Sequence, residues 1–396
     1  MTSRERMAVA MAKGEPDRPP LMCQLSLGHY FLHTDHDEID VWHDTETFSR
    51  ALVELQRRYG FDGILVNLPG RDPSWRDHVR AITGDEDGNR VIHWTDGRVT
   101  VAPADDNPHV YTADGEALHV PFDDVDPDTL FYVEPHDVSG VSHPHAWGFS
   151  GDPAPAGGPD FFPPWHCDTL RRGRELAGPD VSVHAEIFSP FTQFMELVGY
   201  TEGLMALILD QGKVHASLER LASGAACLGG LYAREDVDAV LVSSAFVGGG
   251  FISRDHYQAF EAPFMRTVVD GIKAVRPDLP VYVHTCGAIG DRLDLMESTG
   301  VDGIDTLDPP PIGTVELADA LDALGKRVFI KGNLDPVHTL LQGTPESVRS
   351  AALERLRLGA PGGAYILSTA CSVPPATPRG NLVALREAVE EFAAHG

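Results

Sequence analysis

The sequence predicts an α/β protein, a (β/α)8 TIM barrel with a β-rich insertion between strands 2 and 3. Three observations predict it. Eight short apolar runs alternate with longer helix-period segments along the 396 residues. The runs are too continuously apolar for a half-solvated sheet and suit parallel strands buried on both faces. Residues able to do chemistry follow the ends of several runs, where a parallel barrel places its site. An open doubly wound sheet is the alternative, but no Gly-rich dinucleotide turn follows the first run.

The first run, Pro20 to Leu25, precedes a helical pattern from Thr45 to Arg58. The second spans Phe61 to Asn67, and the third, Val181 to Ile187, follows a charged helical stretch from Asp168 to Leu176. The fourth is Ala239 to Ser243, with a helical pattern from Asp255 to Val275 after it. The fifth ends at His284 and leads to the pattern Ile289 to Ser298. Val301 to Thr306 and Val328 to Lys331 are the sixth and seventh, separated by Val315 to Leu324. The eighth, Ala364 to Leu367, lies between helical patterns at Pro345 to Leu358 and Leu382 to Ala394.

From about Gly70 to Pro164 the rhythm breaks into turn-rich, acidic, short-stranded sequence. Val91 to Val101 reads as a hairpin with an Asp96-Gly97 turn, and Gly151 to Pro164 as a Pro/Gly-rich loop. The expectation is one barrel domain over residues 1–396 in which 70–164 form a subregion covering the barrel mouth. A surface decoration is the alternative.

Hydrophobic residues at 42% allow a full core. A net charge of −28 disfavours nonspecific nucleic-acid binding and adhesion to anionic lipid. Five cysteines, an odd number in a long chain, argue against a disulfide framework and for a reducing, cytoplasmic setting. The first residues carry no signal-type apolar core, and no stretch of about twenty apolar residues predicts a membrane span.

The chemistry gathers in His284-Thr285-Cys286-Gly287 and in Cys371, each just past an apolar run. In extended chain, residues two apart point to one side, so His284 and Cys286 can reach one ion. The pair alone is equally readable as buried core, but a third thiol at another strand exit favours a metal. Two thiols and an imidazole select zinc and leave a fourth position open for chemistry. Asp305 and Glu186, at other strand exits, are candidate acids or bases. Asn67, Ser244 and Asn333 stand at the level expected of substrate contacts. His29, His33 and His36 read as a solvated loop.

His284-Thr285-Cys286-Gly287, Lys331-Gly332-Asn333-Leu334-Asp335-Pro336, Gly343-Thr344-Pro345-Glu346 and the stretch from Cys371 to Leu382 together resemble the uroporphyrinogen decarboxylase superfamily. They are most similar to its zinc-dependent, corrinoid-linked methyltransferase branch. The resemblance implies a (β/α)8 barrel, zinc on His284, Cys286 and Cys371, and a corrinoid carried on a partner protein. It also allows a homodimer. Ala370 stands where the family usually has Gly before the last ligand. The stretch Cys23 to Tyr30 has no arginine, whereas decarboxylases of the family carry an Arg-rich motif there; a tetrapyrrole with many carboxylates needs such cations. The expected function is methyl transfer between a small methoxylated compound or thiol and the corrinoid. A decarboxylase acting on a non-porphyrin acid, with Asp305 or Glu186 moving protons, and a barrel with purely structural zinc are the alternatives.

Overall fold

A computed structural model describes residues 1–135 and 157–395 of the chain. Within them, seven parallel strands form one curled sheet in the order β1-β6-β7-β8-β9-β10-β11. These are β1 (Gly63–Val66), β6 (Ser182–Phe188), β7 (Ala239–Ser243), β8 (Val281–Thr285), β9 (Gly303–Thr306), β10 (Phe329–Leu334) and β11 (Tyr365–Thr369). Strands β2 (Val79–Gly84), β3 (Arg90–Trp94), β4 (Val99–Ala102) and β5 (His109–Tyr111) make a separate antiparallel sheet.

The eighth barrel position belongs to the run at Pro20 to Leu25, which is irregular. It touches β11 through isolated parallel bridges at Leu21–Leu367 and Leu25–Val373. Met22 N donates to Leu367 O, Leu367 N to Pro20 O, and on the other side Asp62 N to Leu21 O. Pro20 has no N–H, and the N–H of Leu21 goes to the Asp62 carboxylate at 2.9 Å, so a continuous ladder cannot form. The barrel is thus closed by a side chain as much as by backbone.

Side chains alternate across each strand, and the inward set is sorted by height. Met22, Leu65, Leu241, Tyr282, Phe329 and Ile366 fill the lower barrel with Met7, Ala10 and Met11 of helix α1 (Ser3–Met11). Two residues further along come Gln24, Asn67, Ser243, His284, Lys331 and Ser368. The interior is therefore apolar below and polar at the carboxyl ends.

Two readings of the sequence change. The pattern from Asp255 to Val275 is two helices, Arg254–Phe260 and Ala262–Val275. Pro263 cannot donate a helical hydrogen bond, and Glu261 turns its side chain inward at the break. The histidine-rich stretch is no solvated loop. It forms α2 (Leu27–His33) and α3 (Glu38–His43), ahead of α4 (Thr45–Tyr59), and His29 is fully buried.

The hairpin expected around Asp96-Gly97 is β3 and β4, with Gly97 at φ 93°. Ile39 of α3 packs with Trp75, Ile92 and Trp94, so the small sheet rests on α3. The carbonyl of Asp105 and the ring of Pro375 lie so close to Gly28 that a side chain there would collide with them. Part of the predicted Gly151 to Pro164 loop lies outside the described residues.

Asp62 is fully buried and accepts from Arg6 at 2.7 Å, Arg18 at 2.9 Å, Ser3 at 2.7 Å and the Leu21 N–H. Removing one partner of a buried ion pair leaves uncompensated charge. Asp62→Ala is expected to lower unfolding free energy by about 3–5 kcal/mol, read as the midpoint of chemical denaturation.

Candidate metal centre

Register alone aligns the centre. Ser243 pairs with His284, His284 with Asp305, and Asp305 with Lys331 across β7, β8, β9 and β10. His284 faces inward because Tyr282, two residues earlier, packs inside the barrel. Gly287, at φ 81°, then turns the chain away and leaves Cys286 at the mouth. Cys371 arrives from the exit of β11, with Ala370 N tied to Leu334 O and Val373 N to Gln24 O on either side.

The three side chains meet. Cys286 Sγ lies 3.3 Å from His284 Nε2 and 3.3 Å from Cys371 Sγ. One ligand atom from each of the three lies within 4.8 Å of the others, a grouping that could hold a metal ion. A tetrahedron with bonds of about 2.0–2.3 Å has edges of roughly 3.3–3.8 Å, so the donors need little movement to close on an ion.

Behind the imidazole, Asp305 Oδ2 is 3.4 Å from His284 Nδ1, and both Asp305 oxygens are 3.0 Å from Lys331 Nζ. All three residues are buried. A carboxylate on one ring nitrogen leaves the other to face a metal. Burial opposes charge on His284, but Asp305 and Cys371 push its pKa up to about 10. The hydrogen bond from Cys286, with His284 beside it, holds the Cys371 thiol well below the usual range, and the same contact drives Cys286 up. Cys371 is thus the sulfur favoured as thiolate, the form in which a thiol binds metal.

The other candidates divide. Glu186 is buried at mouth level and accepts a hydrogen bond from Ser243 Oγ. Asn67, following inward-facing Leu65, keeps a buried Oδ1 with no hydrogen-bond partner. Ser244 turns into the wall instead, where Glu261 accepts from its hydroxyl at 2.5 Å and Ser189 Oγ lies 3.0 Å away. Asn333 uses its amide on Leu307 O at 2.9 Å and Val315 O at 3.2 Å, clamping the loop after β9. Asp335 accepts from Val337 N and His338 N, each at 2.8 Å, and so shapes a turn.

Two residues were not singled out from sequence. Lys331 is one; a lysine ending an apolar strand asks for a buried acid, and that was its signal. Asp308 is the other. Its Oδ2 accepts from Gly287 N at 2.6 Å, its Oδ1 is buried without a partner, and burial pushes its pKa up to about 6. Thr306 and Leu307 precede it at φ 79° and 62°, a left-handed region that non-glycine residues enter only when surrounding packing compels it.

A curled parallel sheet with an imidazole and two thiols gathered at its carboxyl-end mouth defines the α/β-barrel class. The chain belongs to the uroporphyrinogen decarboxylase (URO-D) family, whose family model matches residues 159–392. It is 32% identical over 231 residues to a uroporphyrinogen decarboxylase of Prochlorococcus marinus, covering 56% of this chain and 62% of that relative. The chain therefore spans about three-fifths of the length of the curated relatives it matches. A methylcobamide:CoM methyltransferase, MtbA, of Methanosarcina acetivorans is 32% identical over 150 residues, covering 38% of this chain and 39% of that one. In fold, the chain matches a methyltransferase from Methanosarcina mazei with a TM-score of 0.68 at 18% identity over 99% of both chains. No helix among the described residues is long and apolar enough to cross a membrane.

The wall carries a titration of its own. Burial pushes the pKa of Glu261 from 4.5 up to about 7. The folded state thus binds the proton more tightly than the unfolded state. Stability should be greatest below about pH 4.5 and fall by about 3 kcal/mol as pH rises through 7, for this group alone. Denaturation curves for Glu261→Gln should lack that component, which parallel curves at pH 5 and 8 would check.

Proposed function

We propose that this chain is a zinc-dependent methyltransferase that moves a methyl group between a small substrate, a methoxylated compound or a thiol, and a corrinoid on a partner protein. The observation that carries the reading is the convergence of His284, Cys286 and Cys371 at the barrel mouth. The methyltransferase named among the relatives supports it. Two thiols and an imidazole fit zinc and leave a position open. When bound there, zinc would supply Lewis acidity to a substrate oxygen or sulfur.

The chain's own residues have separate tasks. Asp305 orients His284 through Nδ1, and Lys331 balances the Asp305 charge so that a carboxylate can stand in the buried floor. This role replaces direct acid–base work by Asp305. Asp308 Oδ1, buried and unpartnered, is the group to hold a proton at the mouth or to fill the fourth position. Glu186 and Asn67 face the substrate. Ser244 and Asn333 act through the wall and the β9 loop.

The mouth-level layer of Gln24, Asn67, Ser243, His284, Lys331 and Ser368 holds one cationic side chain besides the imidazole, and that lysine is engaged by both oxygens of Asp305. A polycarboxylate substrate would find no uncommitted counter-charge among these residues. The described part of the 70–164 segment, residues 70–135 and 157–164, is proposed as a cover over the mouth of a single barrel domain, supported by Asp105 lying against Gly28 beside Pro375.

Metal analysis of protein purified without chelator is expected to give about one zinc per chain. Cys371→Ser should lose zinc about tenfold more readily and abolish methyl transfer from methoxylated compounds to reduced cobalamin. A metal-free enzyme with full activity, or carbon dioxide release without methyl transfer, would end the proposal.

A further inference from the structure

Cys371 is followed by Ser372, Val373, Pro374 and Pro375, and the two prolines have no N–H to anchor their own loop. Their carbonyls are held from outside. His29 Nδ1 lies 3.3 Å from Pro374 O and 3.1 Å from Pro375 O. His33 Nε2 lies 3.0 Å from Pro375 O. The two rings, one turn apart on α2, are 4.0 Å from centre to centre. Thr377 N also reaches Pro374 O, so Pro375 is the carbonyl that depends on the imidazoles.

The partners fix every proton. Carbonyls only accept, so His29 Nδ1 carries a hydrogen. Its Nε2 then accepts from the hydroxyl of Tyr59 on α4 at 2.9 Å. Burial drives the His29 pKa down to about 3, consistent with a neutral ring. His33 Nδ1 faces Arg379 Nε at 3.1 Å, and arginine only donates, so the hydrogen of His33 is on Nε2. The two rings are opposite tautomers, each set by a third residue, and both donate to one loop.

We propose that His29 and His33 are positioning residues of the metal centre, holding the Pro374-Pro375 segment so that Cys371 stays within reach of Cys286 and His284. This inference rests on the metal reading above and deepens it. Neither histidine touches the three ligands. They act through the chain that leaves Cys371, whose other restraints are the backbone bonds at Ala370 and Val373.

The test pairs variants that keep or remove one donor. His29→Asn and His33→Gln keep an amide N–H near the same place; His29→Leu and His33→Leu do not. Zinc affinity is read by chelator competition, and ligand geometry by the sulfur-to-metal absorption of the cobalt-loaded protein. Each Leu variant is expected to lose about tenfold in zinc affinity and to shift that absorption, with Asn and Gln restoring most of both. Leu variants that fold and match wild type in both readouts overturn the proposal. Should they not fold, Arg379→Met at its exposed position carries the test. It frees His33 to switch tautomer and should weaken zinc about threefold, whereas unchanged affinity overturns the proposal. If wild-type protein binds no metal, the metal reading fails by itself. The clamp is then decided by the rate at which iodoacetamide alkylates Cys371 in metal-free protein: a severalfold change in the Leu variants sustains it, and equal rates overturn it.

Discussion

Parallel register is the constraint on which the centre depends. His284, Asp305 and Lys331 come from three strands far apart in sequence, yet they are lateral neighbours because β8, β9 and β10 pair without a slip. A shift of one residue in any of these strands would turn its side chain out of the barrel. The register is held in turn by the apolar lower layer, where Tyr282 and Phe329 pack with their rings 5.6 Å apart. The alignment of side chains at the top is thus a consequence of packing beneath it.

Charge in the floor is arranged so that nothing buried stands alone. Asp305 has a lysine on one side and an imidazole on the other, and the two sulfurs lie against each other. Unpaired charge at this depth would be more costly than the rest of the site could offset. Asp308 Oδ1 and Asn67 Oδ1, near the mouth, are among the buried side-chain atoms without partners. Their position beside the three soft donors is what gives them a place in the proposed site. The strained pair Thr306-Leu307 and the Asn333 clamp aim Asp308 at that place, and Gly248 lets the neighbouring loop press against the Cys286 carbonyl, where any side chain would collide.

Much of this was legible in the sequence. Seven of the eight apolar runs are regular strands of the sheet, because uninterrupted apolar runs suit a sheet covered on both faces. His284, Cys286 and Cys371 were recognisable from residue type and position alone. The run at Pro20 to Leu25 was found but not its irregularity, since nothing local shows that a carboxylate forty residues on takes its N–H. Ser244 looked like a mouth residue because it follows a strand end; its odd position relative to inward-facing Leu241 and Ser243 sends it into the wall. The histidines of α2 were misread because their partners, Tyr59, Pro375 and Arg379, are distant along the chain. Hydrogen bonds to carbonyls leave no mark in composition or periodicity.

Helix α1 carries a consequence for the order of events during synthesis. Met7 and Met11 close the bottom of the barrel against Ile366 and Phe329. These neighbours emerge from the ribosome hundreds of residues later. The stopper is made well before the strands that complete its seat. Met22 and Leu65 can cover part of α1 early, but the seat is complete only when β10 and β11 arrive, so closing the barrel depends on contacts between distant parts of the chain.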